Sequence, residues 1–296
     1  MRDDHGAHTN ESALAERRAS AGGALLRRLR SGSGLLLDWL LPVVCASCER
    51  PLPPGSREPA PRGWCEACAA ALPGLDARRC SVCGEALGQS GPAICPRCQA
   101  EPPAFDRTIV LADYAPPLDH LVQAIKFDGQ SALAAPLGRL MALAALRACL
   151  AGSRPGFDAI DPKPAAIVPI PMAPARLSRR GYNQALLLAR PVARALGLRI
   201  APAWLRRVRE GAPASSLHAA ERRSALAQAF IAQRVAPGAT VLVVDDVMTT
   251  GATLQAAAFA LKAAGAAVVV NCVAARTPSH GPATVETPAL HSEPEC

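Results

Sequence analysis

The sequence predicts an α/β protein built on a parallel sheet, with a small cysteine-rich module in front of it. Three apolar runs, residues 166–170, 241–244 and 268–274, lack the polar alternation of a half-exposed strand, which is typical of strands buried on both faces. Helical patterns follow the first two runs. Because strands that alternate with helices form parallel pairs, the order βα, βα, β indicates a doubly wound sheet.

Composition and loop signals divide the chain of 296 residues into four parts. Residues 1–34 are charged and rich in Ser and Gly, and we expect a disordered tail there. Residues 35–100 form the cysteine-rich module, with residues 99–104 as its exit linker. Residues 105–276 form the α/β domain, and residues 277–296 are expected to be a second disordered tail.

The first apolar run, residues 34–44, is too short to cross a bilayer, which needs about 20 apolar residues. It also contains Asp38, and it is better interpreted as a short amphipathic helix that docks onto the following module. No secretory signal precedes it, so we expect a cytoplasmic protein without a membrane span. The formal net charge of +8 is compatible with phosphorylated ligands or nucleic acid, and equally with a basic solvated surface.

Eight of the eleven cysteines form four Cys-x-x-Cys pairs, a spacing that points two thiolates at one ion. In a cytosolic protein this pattern favours two structural zinc sites over disulfides or a redox role. Sequential pairing is simplest, and interleaved pairing stays open. Cys149 and Cys272 are interpreted as small core residues. The predicted ligands are Cys45, Cys48, Cys65, Cys68, Cys80, Cys83, Cys95 and Cys98.

The α/β domain opens with a weakly alternating segment, residues 105–114, that is compatible with a strand. A helix over residues 117–126 follows, with Lys126 at its negative dipole end and Gly129 as its stop. Residues 133–150 form a long Ala/Leu helix. After the strand at 166–170 we expect a loop to residue 184, then a helix over residues 185–196.

That loop carries Arg176, Arg179 and Arg180 at the end of a strand. Guanidinium groups clamp phosphate oxygens in a planar fork, so the cluster favours a pyrophosphate site over a merely solvated basic loop. Residues 200–209 are compatible with a strand or a sheet edge.

Residues 241–253 are the most informative segment. The apolar strand ends at Asp245 and Asp246, and a turn follows that opens a helix over residues 254–264. Backbone N–H groups, small hydroxyls and a helix N-terminus suit a phosphate, and the two acids suit hydroxyl groups or Mg²⁺. A helix-capping turn without a ligand is the simpler alternative. The residues of this turn are Thr249, Thr250, Gly251, Ala252 and Thr253.

Residues 241–253 resemble the phosphoribosyl pyrophosphate (PRPP) signature of type I phosphoribosyltransferases at every position. Together with the four Cys-x-x-Cys pairs, the Ile-Lys-Phe at residues 125–127 and the arginine motif at residues 176–184, they resemble the ComF family from about residue 35 to residue 276. The resemblance implies a double zinc ribbon joined to a phosphoribosyltransferase fold.

The resemblance also implies roles for the site residues. Asp245 and Asp246 would hold the ribose hydroxyls, and residues 249–253 would wrap the 5′-phosphate. Arg176 and Arg180, with Lys126, would neutralise the leaving pyrophosphate, and Mg²⁺ would accompany PRPP. Two family positions depart from the pattern, since Ala214 and Ala225 stand where a Gln and an Asn are frequent. These losses put any base-specific or partner-specific contact of residues 210–225 in doubt.

Three functions remain open from the sequence. The first is a phosphoribosyltransferase whose acceptor the sequence does not identify. The second, implied by the family's link to DNA uptake, is a factor that handles single-stranded DNA or contacts DNA-uptake proteins; Trp64 is the main residue in the module for stacking a base, although it also suits packing under a metal. The third is a scaffold for a protein partner. The oligomeric state is not predicted.

Overall fold

The computed structural model describes residues 43–53, 60–151, 166–208 and 229–278, with the side chains of residues 149–151 excepted. Contacts between Cα atoms divide the chain into two units after Cys65, and each unit is described by itself. The predicted tails, the segment 209–228 with Ala214 and Ala225, and most of the predicted helix at 34–44 lie outside the described residues.

In the first unit the structure describes residues 43–53 and 60–65, which contain a tight metal-knuckle turn. Val44 pairs with Pro51 in an isolated antiparallel bridge, so the predicted helix does not reach residue 44. The Cys45 N–H donates to the Arg50 carbonyl at 2.9 Å, and the Glu49 N–H donates to the Cys45 carbonyl at the same distance. The Trp64 side chain is buried.

The second unit contains a parallel four-stranded sheet, whose strands lie in the order β1 (Arg107–Asp113), β6 (Val268–Arg276), β5 (Thr240–Met248) and β2 (Ala166–Pro169). The central strand β5 is buried on both faces, as its run of four aliphatic residues predicts. Strand β3 (Leu205–Arg207) pairs with β4 (Phe230–Ala232) in a separate antiparallel ladder.

Strand β5 is longer than predicted. The expected strand stops at residue 244, whereas the observed ladder with β6 continues, pairing Asp245 with Val273 and Met248 with Arg276. The parallel partner satisfies the backbone of the acidic pair, so the two carboxylates belong to the strand rather than to a loop after it.

Helices cover the sheet at nearly the predicted positions. The predicted loop before residue 184 is partly wrong, because Pro174 starts a short helix that Gly181 ends with a φ of 81°. The helices are α1 (Glu66–Ala70), α2 (Pro96–Ala100), α3 (Leu118–Phe127), α4 (Ala134–Ala151), α5 (Pro174–Arg180), α6 (Gln184–Leu196) and α7 (Ala252–Ala263).

Helix α4 packs closely against α6. A Cβ atom at Gly138 would lie 2.7 Å from the Leu188 carbonyl oxygen, so only glycine permits this approach. Among the described helices, this region alone holds an apolar stretch, Ser131–Ala148, long enough to cross a membrane, and 39% of that stretch is buried within the protein. Its inner face, which includes Leu137 and Met141, is fully covered, as in a core helix.

Candidate functional site

A cavity of about 820 Å³ opens at the carboxyl edge of the sheet, where ligands of open α/β sheets bind. It collects side chains from β5, from α3, from the α5 segment and from the β3–β4 ladder. The cationic lining side chains outnumber the acidic ones, which suits a polyanionic ligand. The charged residues lining the cavity are Lys126, Arg176, Arg179, Arg180, Arg207, Asp245 and Asp246.

The acidic pair lies on the floor of this cavity. The Asp245 carboxylate accepts a hydrogen bond from the Asp246 N–H at 2.9 Å, and the Asp246 carboxylate accepts one from the Val247 N–H at 2.7 Å. Asp246 is buried and Asp245 is half-buried. The second oxygen of Asp246 lies 3.2 Å from the Lys126 Nζ, so the predicted pyrophosphate lysine is paired with an acid here.

The pKa of Asp245 is raised to about 8, because burial and the neighbouring Asp246 charge both oppose its ionisation. Bonding from the Asp246 N–H and the positive charges of Lys126 and Arg207 oppose this rise without cancelling it. A carboxyl whose pKa is raised in a cavity is a candidate for ligand binding, since a cation or a hydrogen-bond donor would favour its charged form.

Helix α5 and the turn after it place the arginines. Arg176 and Arg180, the predicted pyrophosphate arginines, both line the cavity, and Arg179 joins them. The Arg180 guanidinium donates to the Gln184 side-chain oxygen at 2.6 Å and lies 5.7 Å from the centre of the Phe127 ring. These contacts hold the guanidinium toward the cavity.

The Gly-Tyr-Asn motif after Arg180 is explained by local structure. The Asn183 side-chain oxygen caps α6 by accepting from the N–H groups of Ala185 and Leu186, and its amide donates to the Ile170 carbonyl at the end of β2. The Tyr182 hydroxyl donates to the Ile125 carbonyl in α3. The motif thereby ties the arginine segment to both of its neighbours.

The predicted phosphate turn is divided between two cavities. Thr249 and Thr253 line the cavity with the acidic pair, whereas Thr250, Gly251 and Ala252 line a second cavity of about 500 Å³. Gly251 has a φ of 83°, and a Cβ atom there would lie 2.6 Å from the Met248 side chain, so glycine is needed at the start of α7.

The structure pairs the Cys-x-x-Cys knuckles sequentially and does not interleave them. In each tetrad the ligand atoms lie within 4.8 Å of one another. The Cys83 and Cys95 sulfurs are 3.7 Å apart, close to the edge of a zinc tetrahedron, which is about 3.8 Å for Zn–S bonds near 2.3 Å. The tetrads are Cys45, Cys48, Cys65 and Cys68, and Cys80, Cys83, Cys95 and Cys98.

Backbone N–H groups aim at the first sulfur of each tetrad, as zinc knuckles require. The Cys95 N–H donates to the Cys80 sulfur at 3.3 Å, and the Cys65 N–H donates to the Cys45 sulfur at 3.4 Å. Burial acts to raise the pKa of Cys45, but bonds from backbone N–H groups outweigh it and lower that pKa to about 6. Burial raises the pKa of Cys83 to about 11. The donor set therefore fits Zn²⁺, whose charge would also ionise the Cys83 thiol.

The sequence analysis gave no site role to Arg207, Tyr114 or Phe127, although Phe127 belongs to the Ile-Lys-Phe motif, and all of them line the cavity. Arg207 stacks its guanidinium over the Phe230 ring at 4.8 Å and reaches the cavity from the β3–β4 ladder. No local motif marks it, because the ladder that places it joins segments more than 20 residues apart. Phe127 is 74% exposed, an unusual cost for an aromatic side chain.

Comparisons with known proteins agree with this architecture. A model of the double zinc ribbon domain matches residues 36–99, and a model of the phosphoribosyl transferase domain matches residues 183–289. The DNA utilization protein YhgH of Escherichia coli K12 is 34% identical over 234 residues, which cover 79% of this chain and 97% of that protein. The chain belongs to the ComF family.

Other relatives support the ComF assignment. The DNA utilization protein YhgH of Salmonella typhi is 35% identical over 77% of this chain and 95% of its own. Competence protein F of Haemophilus influenzae is 32% identical over 68% of this chain and 85% of its own. The ComF assignment confirms the predicted fold class, a type I phosphoribosyltransferase fold preceded by a double zinc ribbon.

Proposed function

We propose that this ComF protein binds PRPP together with Mg²⁺ and transfers or handles its phosphoribosyl group. The observation that carries the proposal is that one cavity joins an acidic pair, two threonines of the β5–α7 turn and the arginines of α5. Ribose hydroxyls, a 5′-phosphate and a pyrophosphate are the three chemical groups that this set complements.

Each part of the ligand has its own partners in the proposal. Asp245 and Asp246 accept hydrogen bonds from the ribose 2′- and 3′-hydroxyls. Thr249, Thr253 and the backbone N–H groups of their turn surround the 5′-phosphate, where the N-terminus of α7 adds its positive dipole. Arg176 and Arg180 face the pyrophosphate.

Transfer would break the bond between C1 and the pyrophosphate oxygen and would form a bond from C1 to an acceptor nucleophile. Negative charge grows on the leaving pyrophosphate, and the fixed guanidinium groups stabilise it without reorganisation. Mg²⁺ supplies further neutralisation of that charge when bound. Carboxylate oxygens such as those of the acidic pair are the ligands that Mg²⁺ prefers.

Lys126 has a second task in this proposal. Its ammonium group lies 3.2 Å from the Asp246 carboxylate. A ribose hydroxyl or a cation that binds Asp246 competes for the same oxygen, which releases the Lys126 ammonium toward the pyrophosphate. Ligand binding at the acidic pair thereby makes the positive charge of Lys126 available to the leaving pyrophosphate.

The test is calorimetric titration of PRPP and Mg²⁺ into the zinc-loaded full chain. We expect binding in the parent and its loss in Asp245→Ala/Asp246→Ala protein, with both proteins folded by circular dichroism. Pyrophosphate release on adding candidate acceptors then tests turnover. Binding that survives removal of both acids would contradict the site.

A second candidate function is binding of single-stranded nucleic acid at the same cavity without turnover. The exposed Phe127 ring beside the arginine cluster favours it, because basic grooves with aromatic platforms bind single strands. The relatives carry names that refer to DNA utilization and competence, and we propose this link for the chain as well.

Salt dependence separates the two functions. Binding of oligonucleotide phosphates weakens steeply as salt rises, and competition by PRPP would show that both ligands use one cavity. We further propose a cytoplasmic location, since a reducing compartment keeps cysteine tetrads available for zinc.

A further inference from the structure

A buried arginine at the end of β6 forms hydrogen bonds to the start of the turn that follows β5. The Arg276 side chain is 2% exposed. Its Nη1 donates to the carbonyl of Met248 at 3.2 Å, to the carbonyl of Thr249, and to the carbonyl of Thr277 at 2.6 Å. One guanidinium therefore fixes the first peptide groups of the predicted phosphate turn.

The other side of the same guanidinium contacts the second cysteine hairpin, which is the segment from Cys80 to Cys98 that carries the second tetrad. The Arg276 Nε donates to the Cys83 carbonyl at 3.3 Å, and its Nη2 pairs with the Glu85 carboxylate at 2.8 Å. A buried cation must be paired, so these contacts are not interchangeable with water. Because Cys83 belongs to the second tetrad, the arginine joins a metal-binding hairpin to the turn.

A second arginine makes a parallel link. The Arg97 Nη2 donates to the Thr250 carbonyl at 3.0 Å, and Arg97 directly precedes Cys98, another ligand of the same tetrad. Both links to the turn thus begin within two residues of a tetrad cysteine. A metal ion that fixes Cys83 and Cys98 also fixes the two anchor points.

Peptide geometry gives these links a consequence for phosphate. In a trans peptide the C=O and N–H groups point in opposite directions. Carbonyls of Met248, Thr249 and Thr250 that are held by arginines therefore direct the N–H groups of Thr249, Thr250 and Gly251 away from the cysteine hairpin. These N–H groups are the donors that a 5′-phosphate in the turn needs.

We propose that Arg276 is a positioning residue through which the metal-loaded second tetrad orders the phosphate turn, so that zinc occupancy sets the affinity for 5′-phosphates. Arg97 is its weaker second link. The inference rests on the proposed PRPP function for its ligand and on the contacts above for its mechanism. Neither arginine lines the cavity that holds the acidic pair and the α5 arginines, so we expect the pyrophosphate end of the site to be unaffected.

The experiment compares two fragments of PRPP on the full zinc-loaded chain. Ribose 5-phosphate reports on the turn, and inorganic pyrophosphate reports on the α5 arginines. For Arg276→Gln we expect the Kd of ribose 5-phosphate to rise about tenfold or more, and for Arg97→Ala about threefold, which is the scale of lost charge-assisted hydrogen bonds. The Kd of pyrophosphate should stay within about twofold in both, within ordinary scatter.

Arg79→Gln is the matched control. Arg79 also anchors the second hairpin, through the Asp113 carboxylate at 2.8 Å and the carbonyls of Gly74 and Gly84, and these partners lie outside the β5–α7 turn. We expect both affinities to be unchanged in it. Arg276→Lys keeps the charge and should recover part of the loss. An equal loss in Arg79→Gln, or an equal loss of pyrophosphate affinity, would overturn the positioning role.

A ligand-free readout separates this inference from the proposed function. Hydrogen exchange of the peptide spanning residues 248–253 should speed up in Arg276→Gln, in Arg97→Ala and after zinc is chelated, and should stay slow in Arg79→Gln. If the parent binds neither fragment, the PRPP function fails while the exchange still decides the ordering role. An exchange rate of this peptide that is unchanged in chelated protein would contradict the inference. If Arg276→Gln does not fold, the same measurements on Glu85→Gln and Arg97→Ala test the inference instead.

Discussion

The second cysteine tetrad and the acidic pair of β5 are two clusters of acidic groups in one unit, and their surroundings differ. All four cysteines of the tetrad are buried, and they belong to the same apolar core as Val243 and Leu254. The acidic pair faces an open, basic cavity, and the pKa of Asp245 is raised to about 8 by burial and by Asp246. Zinc would neutralise the thiolates of the tetrad in the folded protein at all times, whereas the carboxylates of the acidic pair gain partners for their charge only when a ligand binds.

This difference predicts opposite consequences of substitution. A cluster closed by its metal contributes folding free energy, so damage to it lowers stability. A pair of carboxyl groups whose ionisation is unfavourable in its cavity lowers the stability of the fold in favour of ligand binding. Replacing a carboxyl of this pair with a neutral side chain should therefore raise stability and abolish function.

The largest expected effect is removal of one ligand of the second tetrad. Cys80→Ser should reduce the zinc content from two ions to one and lower the free energy of unfolding by several kcal/mol, because metal binding is coupled to folding. Zinc content by atomic absorption and unfolding by urea with circular dichroism measure both. Cys272→Ala, which removes a buried thiol of β6 outside the tetrads, is the control and should keep both ions. A Cys80→Ser protein that loses one zinc ion but keeps the parent's free energy of unfolding would show that the second tetrad does not stabilise the core.

Gly84 tests how closely the second hairpin packs on the sheet. Its φ is 71°, and a Cβ atom there would lie 2.3 Å from the Val110 Cγ2 of β1. Gly84→Ala should therefore destabilise the protein by about 2–3 kcal/mol, from overpacking together with left-handed backbone strain. Gly88→Ala is the matched control in the same hairpin, since its Cβ would meet no atom within 4 Å. Equal urea midpoints for the two variants would show that the hairpin is not packed as described.

The same comparison explains what the sequence predicted well. The tetrads depend on local spacing, so the eight ligands were predictable one by one, although the sequential pairing needed the fold. The apolar runs of β2, β5 and β6 predicted a parallel sheet, and Asp245 and Asp246 were placed at its carboxyl edge. Strand β5 was predicted too short, because its polar end is satisfied by β6, which no local pattern of β5 reveals.

Long-range contacts account for what was not predicted. Arg207 reaches the cavity through a ladder with β4, and Arg276 reaches the turn from the end of β6. The pairing of Lys126 with Asp246 also depends on tertiary structure. A single arginine in a strand carries no signal of its partner, whereas a Cys-x-x-Cys pair carries half of its site within four residues.

The pH dependence of PRPP affinity sharpens the description of the acidic pair. With a pKa of about 8, Asp245 is mostly protonated at neutral pH in the free protein. Ribose hydroxyls and Mg²⁺ favour its ionised form, so binding releases a proton and affinity should rise by up to about tenfold per pH unit below that pKa. Above about pH 8 the affinity should level off. Calorimetry in buffers of different ionisation enthalpy measures the proton released, and Asp245→Asn protein should lack this component. A flat profile in the parent between pH 6 and 8 would show that Asp245 is already ionised.

The smallest expected effect is a gain in stability from neutralising Asp245. Its folded pKa of about 8 lies above the unfolded value near 3.9, so folding takes up a proton between these values and stability falls as pH rises through that window. Asp245→Asn has no charge to suppress, so we expect it to be more stable than the parent at pH 8, by an amount that shrinks toward pH 4. Asp106→Asn is the control of opposite sign, because the Asp106 carboxylate pairs with the Lys262 ammonium at 2.8 Å and accepts the Val269 N–H at 2.7 Å. Urea unfolding of the three proteins at pH 5 and pH 8 measures the difference. A loss of stability in Asp245→Asn at pH 8 would show that the acidic pair stabilises the fold, as the cysteine tetrad does.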